Sequence, residues 1–399
     1  MRKEWKLSNF DKFSLGLTIK GAWIYEWAPD FEGMKFALAQ LSDIYPHLAG
    51  HYDEKAKAIV WDEATAATLP FDKIELREYE CSQLVGNAGL AWSLVAPYDI
   101  RGFKKGMTGP FKATLGCLKD GCILFVQCAH AAMDAQTFYS LVGQWAGLYR
   151  GEVVFPMAVD QSQLPSGDAF SKEETIRMVR ERGWIRIRFK QIIKMLWNSA
   201  RNESIRDITV LEVTQDEISD LRNRSGAGTN AVLAALTFRK FAEKFPGRDK
   251  FKLLFVADLR SRLKKMDSSF FGNLSQPVIL EEPISVSDDV VSVAVKIDSL
   301  LKTILSSERT EENVQLSQSS SHYGLPYFFF DASDMNCPKP EMIYINNFLK
   351  FKANELDWGT GLPQYVFPDD LKDMVKFWQP VAGGNIQIIF AGFAAKTMK

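Results

Sequence analysis

Histidine is scarce in this chain, cysteine is few and odd in number, and neither sign of charge prevails. The five cysteines among 399 residues (81, 117, 122, 128 and 337) lack CxxC spacing. That pattern excludes a disulfide framework and a zinc site, and it fits free thiols in a reducing compartment. No run approaches the roughly 18 apolar residues of a membrane span, and Met1-Arg-Lys-Glu-Trp-Lys-Leu-Ser8 has no apolar core like that of a signal peptide. The expectation is a cytoplasmic protein without a membrane span. Lys+Arg 48 against Asp+Glu 49 leaves a formal net charge of −1, so no global field draws the chain to nucleic acid, and any anion site is local. Two of the four histidines, His47 and His51, stand four apart. Gly50 lies between them in a Tyr45-Pro-His-Leu-Ala-Gly50 turn, which argues against a helical metal pair; no metal is expected.

What is present describes a packed globular protein. A 46% hydrophobic and 12% aromatic content is that of an ordered chain, and the length exceeds one ordinary core but suits two domains. Helical spacing over Phe31 to Tyr45 mixes with strand-like runs at Ala58 to Trp61 and Phe111 to Leu118, giving an α/β or α+β class. Turn chemistry from Val154 to Asp168 marks a boundary. The reading is a first domain over 1–165, a linker over 166–206 and a second domain over 207–399. The linker carries a basic helix, its basic stretch over 177–194, with Ile185, Phe189, Ile192, Ile193, Leu196 and Trp197 along one side and Arg186, Arg188, Lys190 and Lys194 around it. Its expected role is to pack between the domains; docking on a membrane surface is a lesser reading.

The second half opens with a strand at Asp207 to Thr214. A helix follows the loop Ser225-Gly-Ala-Gly-Thr229, with Thr229 or Asn230 as N-cap and Leu233, Leu236, Phe238 and Phe241 spaced for burial. A buried strand at Leu253 to Ala257 runs into Asp258-Leu-Arg260-Ser-Arg262. The serine-rich stretch Leu316 to Ser321 reads as a mobile loop, and a last strand spans Asn385 to Phe390.

The most informative stretch is His130-Ala-Ala-Met-Asp134. It ends the apolar run Cys122 to Ala129 and precedes Phe138, Leu141, Val142, Trp145 and Leu148 at helical spacing. Strand, short loop and helix start follow, which sets an imidazole at a strand end where it can face a cleft. The plainer alternative is an Asp134 that only caps the helix and a His130 that is a hydrogen-bonded core residue.

Taken in order, the pieces resemble one family. Leu7-Ser-Asn-Phe-Asp11, Tyr45-Pro-His-Leu-Ala-Gly50, the HxxxD of His130 and Asp134, Thr229 to Arg239, Asp258 to Arg262 with Phe271-Gly-Asn273, and Asp357-Trp-Gly-Thr-Gly361 are similar to the motifs of the BAHD acyltransferases. That family depends on coenzyme A and has the chloramphenicol-acetyltransferase-like fold. Two departures stand out. Ala135 replaces the glycine that ends HxxxDG, and the last motif keeps Asp357, Gly359 and Gly361 but puts Trp358 and Thr360 where its family counterpart has phenylalanine and tryptophan. Residue 129 is Ala, so the double histidine of peptide-synthetase condensation domains is absent.

The resemblance implies two chloramphenicol-acetyltransferase-like domains with His130 in a channel between them. It further implies a monomer in secondary metabolism that moves an acyl group from acyl-CoA, as co-substrate and with no permanent cofactor, to a hydroxyl or amine of a small-molecule acceptor. His130 is the implied general base, and no covalent enzyme intermediate is needed. Asp134 pairs with Arg260, favoured over Arg262, and Asp357, Gly359 and Gly361 hold a loop. Trp358 and Thr360 lie on the acceptor side, where a hydroxyl in place of a ring opens space for a bulkier or more polar nucleophile. Arg222, Arg224 and Ser225 are the candidates for coenzyme A. A carrier-protein thioester as donor, docked on the basic helix, and a catalytically silent ligand-binding relative are the alternatives; titration with free acyl-CoA separates them.

Overall fold

The computed structural model describes residues 1–62, 69–165, 167–182, 184–186, 188–190, 193, 197, 207–264, 266–280, 282–325, 327–328, 342–368, 374–392, 396 and 398. Two sheets carry the core. The first has strand order β15-β2-β7-β6-β5, from β2 (Thr18–Tyr25), β5 (Phe71–Glu75), β6 (Phe111–Cys117), β7 (Cys122–Ala129) and β15 (Tyr365–Phe367). All eight residues of β7 are buried, as a central strand covered on both faces requires. It pairs antiparallel with β2 from Thr18↔Ala129 to Tyr25↔Cys122, so the register ends at residue 129, and the His130 N–H closes the ladder on the Leu17 carbonyl at 2.9 Å.

Helix α1 (Asn9–Phe13) precedes this sheet, and helices α2 (Phe31–Ile44) and α3 (Ala135–Tyr149) pack on it. Their apolar stripes place Met34, Leu38 and Leu41 beside Phe138, Leu141 and Trp145 in one core. The Trp145 indole N–H donates to the Met34 carbonyl at 2.8 Å, satisfying a buried donor where the helices meet. Three short helices (Cys81–Leu84, Ala88–Ser93 and Ile100–Lys104) edge the sheet. A small sheet joins β1 (Arg2–Lys6), β3 (His51–Asp53) and β4 (Ala58–Asp62).

The second sheet has order β11-β10-β14-β16-β17-β9, with β12 also on β10. Its strands are β9 (Ile208–Val213), β10 (Lys250–Asp258), β11 (Ser275–Ile279), β12 (Ile284–Ser285), β14 (Met342–Asn347), β16 (Val375–Trp378) and β17 (Ile386–Ala391). Leu233, Phe238 and Phe241 of the long helix Thr229–Lys244 share a core with Leu253, Phe255, Ile345 and Phe390. The two halves interlock. β15 pairs antiparallel with β2 in the first sheet, and carbonyls of the preceding segment accept from that sheet: Trp23 Nε1–H donates to Ala353 and Tyr25 O–H to Leu356 at 2.8 and 2.9 Å. In return Phe271, from the connection between β10 and β11, is fully buried in the first core.

Three local expectations are corrected. Leu316 to Ser321 is not a loop but part of the helix Ser307–His322, whose Gln318, Ser319 and Ser320 are buried; small side chains there permit close approach of neighbouring elements. The basic helix is interrupted. The helix Lys172–Glu181, opened by a Ser171/Glu174 capping box, ends at Glu181, and Ile185–Arg186 form the two-residue strand β8 paired with β13 (Tyr327–Phe328), where a β-branched residue gains ladder partners. Phe189, Ile193 and Trp197 are exposed rather than packed; Ile192, Lys194 and Leu196 lie outside the described residues, as does Cys337. The N-cap of the helix Thr229–Lys244 is Gly228, not Thr229 or Asn230. The Gly228 N–H is satisfied by Asp298 at 3.1 Å, and the Asn230 side chain accepts from Asn347. No helix among the described residues is long and apolar enough to cross a membrane.

Candidate active site

His130 follows β7 directly and Asp134 caps α3, its Oδ1 accepting from the Thr137 N–H at 3.0 Å. Ala135 is the first residue of that helix, so the replaced glycine meets no unusual backbone angle. The cap has a second task. Asp134 and Arg260 pair through both oxygens, Nη1 to Oδ2 at 2.9 Å and Nη2 to Oδ1 at 3.0 Å, with both side chains 2% exposed. Asp134 Oδ2 also accepts from the Leu274 N–H at 2.9 Å.

Every donor of the Arg260 fork is used. Nε reaches the Phe270 carbonyl, Nη1 also reaches Asp258 at 2.8 Å, and Nη2 also reaches Thr137 Oγ1 and the Gly272 carbonyl. Lys350 completes the cluster on Asp258 at 2.7 Å. Burial alone would lower the guanidinium pKa, but the carboxylates of Asp134 and Asp258 outweigh it and raise it. Burial likewise pushes Asp258 up, and the charges of Arg260 and Lys350 bring it below the ordinary carboxylate value. Full pairing is what makes such a buried cluster tolerable. Because Asp134 belongs to the first half and Arg260 to the second, the pair fixes where the halves meet.

The turn Phe270 to Leu274 delivers the next partner. Gly272 has φ +129°, in a region that favours glycine, and its carbonyl accepts from Arg260 and from Thr137. This conformation presents Asn273 to His130. Asn273 Nδ2 donates to the His130 carbonyl at 2.8 Å and to Asp11 Oδ1 at 2.9 Å, while its Oδ1 lies 3.0 Å from His130 Nδ1. The amide orientation is dictated by its surroundings, since reversing it would set the amide oxygen against two acceptors. With an oxygen facing it, Nδ1 carries the proton, and Nε2 is the nitrogen with a free lone pair. Asp11 and Asn273 appear in the sequence motifs without a role assigned to either. The available signal was the Ser8-x-x-Asp11 capping pattern, which places a carboxylate in a mostly apolar segment.

The other expected site residues fall elsewhere. Asp357 Oδ1 accepts from the N–H groups of Gly359 and Gly361 at 2.7 and 3.0 Å, and both glycines have positive φ, +83° and +110°. Trp358, however, is fully buried and packs edge-on against Trp145 and Tyr149, and Arg150 donates to the Asp357 carbonyl. These contacts set the loop at the C-terminal end of α3. Its 15 residues span about 22 Å at 1.5 Å per residue, so Trp358 and the exposed Thr360 lie at the far end of that helix from His130. Trp358, expected on the acceptor side, is a core contact with no exposed surface.

Arg222 and Arg224 are exposed at the end of the helix Gln215–Ser225, where Arg224 pairs with Asp220 and the Ser225 hydroxyl donates to the Leu221 carbonyl. His47 is buried and neutral, stacked on Trp5, and no metal-ligating cluster occurs among the described residues. A cavity of about 1080 Å³ opens beside β11, lined by Arg182, Trp184, Gln276 and Arg309 among others.

Comparison with known proteins meets this geometry. No curated protein matches the sequence. In the solved structures the chain is similar to F. sporotrichioides TRI101 complexed with coenzyme A and T-2, at 17% identity, covering 100% of this chain and 97% of that one with a TM-score of 0.77. It is also similar to F. graminearum TRI101 complexed with coenzyme A and deoxynivalenol (12%, 99% and 96%, TM-score 0.74) and to vinorine synthase (14%, 100% and 92%, TM-score 0.67). These likenesses show a shared two-domain, chloramphenicol-acetyltransferase-like fold. The family model described as Transferase family matches residues 102–382, a span that includes His130, Asp134, Arg260, Asn273 and the loop at Asp357. The chain therefore belongs to the Transferase family, that of the BAHD acyltransferases.

Proposed function

We propose that the protein transfers an acyl group from acyl-CoA to a hydroxyl or amine of a small-molecule acceptor, with His130 as general base and no covalent enzyme intermediate. Family membership supports acyl-CoA-dependent acyl transfer, and the coenzyme A complexes of the TRI101 structures are in keeping with that donor. The observation that carries the base assignment is the commitment of Nδ1 to Asn273, which leaves Nε2 for chemistry.

An acceptor hydroxyl is too weak an acid to attack a thioester unaided, whereas an ordinary imidazole titrates near 6.5 and can take its proton during attack. The acceptor oxygen or nitrogen bonds to the thioester carbonyl carbon as Nε2 takes the proton. Collapse of the tetrahedral oxyanion breaks the carbon–sulfur bond, and the imidazolium returns the proton to the departing thiolate. Ester or amide and free coenzyme A leave, and His130 is restored. Asp134 is spent on Arg260 and its helix cap, so it serves the geometry rather than the proton transfer. For the donor's phosphates we assign the exposed arginines Arg222 and Arg224, with Ser225 beside them.

The test is His130→Ala assayed by released thiol with free acyl-CoA. A fall in kcat of about 10² to 10⁴-fold with little change in melting temperature is expected. A variant retaining more than half the wild-type rate refutes the base assignment, and a wild-type enzyme inert toward every free acyl-CoA refutes the donor.

A further inference from the structure

A second carboxylate stands behind His130, and the proposed reaction does not use it. Asp11 on α1 is 1% exposed. Its Oδ1 accepts from the Asn273 N–H at 3.1 Å and from Asn273 Nδ2 at 2.9 Å; its Oδ2 accepts from the Ser8 N–H at 2.6 Å and from Gln161 Nε2 at 3.2 Å. Among the described residues every one of these donors is neutral. Burial raises the Asp11 pKa from the ordinary carboxylate value, and the donors from Ser8 and Asn273 pull it back down.

The surrounding charges leave Asp11 distinct. Lys12, next along α1, feels Asp11 but has its own pKa lowered by burial and by Lys57. Across the Phe270 to Leu274 turn, Asp134 and Asp258 are matched by Arg260 and Lys350, so that cluster sums to no formal charge. Asp11 thus carries a carboxylate that has no salt-bridge partner among the described residues and lies two hydrogen bonds from the imidazole. A positive charge at His130 would give this carboxylate a counter-charge, and proton uptake by Nε2 creates that charge.

We propose that Asp11 is a positioning residue for acyl transfer: through Asn273 its carboxylate fixes the Nδ1–H tautomer of His130 and stabilises the imidazolium formed when His130 takes the acceptor's proton. No proton passes between Asp11 and His130. The Asn273 amide keeps both its hydrogens and transmits only orientation and polarity, which in a buried site is a substantial influence. The amide is held at three points, Asp11, the His130 carbonyl and His130 Nδ1, so loss of the first anchor frees it to rotate.

This inference rests on His130 as the base. Asp11→Asn keeps an acceptor oxygen of similar size but removes the charge. The acid limb of its kcat/KM profile should move to lower pH by about half to one unit, because a nearby negative charge favours the protonated imidazole. Its kcat should fall about 10-fold with KM for acyl-CoA and acceptor unchanged, and Asp11→Glu, which retains the charge, should restore the limb. A merely structural role would lower the folded fraction without moving the limb, so an unmoved limb in folded Asp11→Asn overturns the proposal. Should Asp11→Asn fail to fold, the ¹⁵N-histidine spectrum of the wild-type enzyme decides, with the His130 signals assigned by their loss in His130→Gln. A single Nδ1–H tautomer supports the proposal, and a mixture or an Nε2–H tautomer overturns it. The two readings fail separately: an active His130→Ala enzyme removes the base itself, whereas an inactive His130→Ala with an unmoved Asp11→Asn limb removes only the role of Asp11.

Discussion

Asp134 and Asp357 are both aspartates singled out by a motif, and the protein surrounds them in opposite ways. Asp134 is sealed from water and shares both oxygens with Arg260, a partner 126 residues away. Asp357 is half-buried and holds two backbone N–H groups within its own five-residue loop. The first carboxylate joins the two halves of the chain and sits four residues from His130; the second shapes a local turn at the opposite end of α3. A motif therefore marks a position where geometry is demanding, and only the surroundings tell whether that geometry serves the site or the scaffold.

The strongest way to break this contrast is to remove one side of the buried pair. Arg260→Ala leaves Asp134 and Asp258 without their shared cation, and Asp134→Asn leaves the Arg260 fork short of its main acceptor. Each is expected to cost about 3–5 kcal/mol of stability or to abolish soluble yield, because a buried charge left alone is worse than no pair at all. A double-mutant cycle by denaturant unfolding should show strong coupling between the two sites. Additive effects would mean that the pair is not the seam's anchor.

The seam also has a pH-dependent part, through His47. Its ring packs on Phe271, 4.7 Å between centroids, in the same turn that carries Gly272 and Asn273, and burial lowers its pKa to about 3. In the unfolded chain an imidazole takes up its proton below about 6.5, while the folded protein refuses it down to about 3. The unfolded state therefore binds more protons across that window, and stability is lost as pH falls from 6.5 toward 3, by about 1.4 kcal/mol per pH unit at full slope. His47→Phe should flatten this dependence in unfolding midpoints measured between pH 7 and 4.5. An unchanged acid slope in that variant would show that His47 does not contribute.

Much of this was legible from the residues because it is written in short-range pattern. The mostly apolar run 122–129, the helical spacing after Asp134 and the strand before Arg260 each declare an element without help from elsewhere. Asp134 with Arg260 came from the family resemblance. The contact of His130 with Asn273 did not, since it joins residues 143 positions apart through a turn whose shape depends on the positive φ of Gly272, and no periodicity encodes it. Local composition misled at Leu316 to Ser321, where clustered serines look like a loop until tertiary packing buries Ser319 and Ser320 in a helix. The location of the Asp357 loop was hidden for a similar reason: it follows from β15 joining β2, a pairing between residues more than 300 positions apart.

That location turns the last prediction around. On motif order alone, Thr360 stands where related enzymes present a tryptophan, and a larger ring there would be expected to narrow the range of acceptors. The contacts of Trp358 with Trp145 and Tyr149, and of Asp357 with Arg150, instead tie the loop to the end of α3 remote from His130, and Thr360 itself is exposed. Thr360→Trp is therefore expected to leave kcat and KM for acceptor and acyl-CoA unchanged, and to alter stability by no more than about 0.5 kcal/mol, as an exposed substitution does. Steady-state kinetics across a panel of small and bulky alcohols and amines checks this. A selective loss of bulky acceptors would bring the loop to the acceptor's path and make Asp357, like Asp134, a residue that shapes the site.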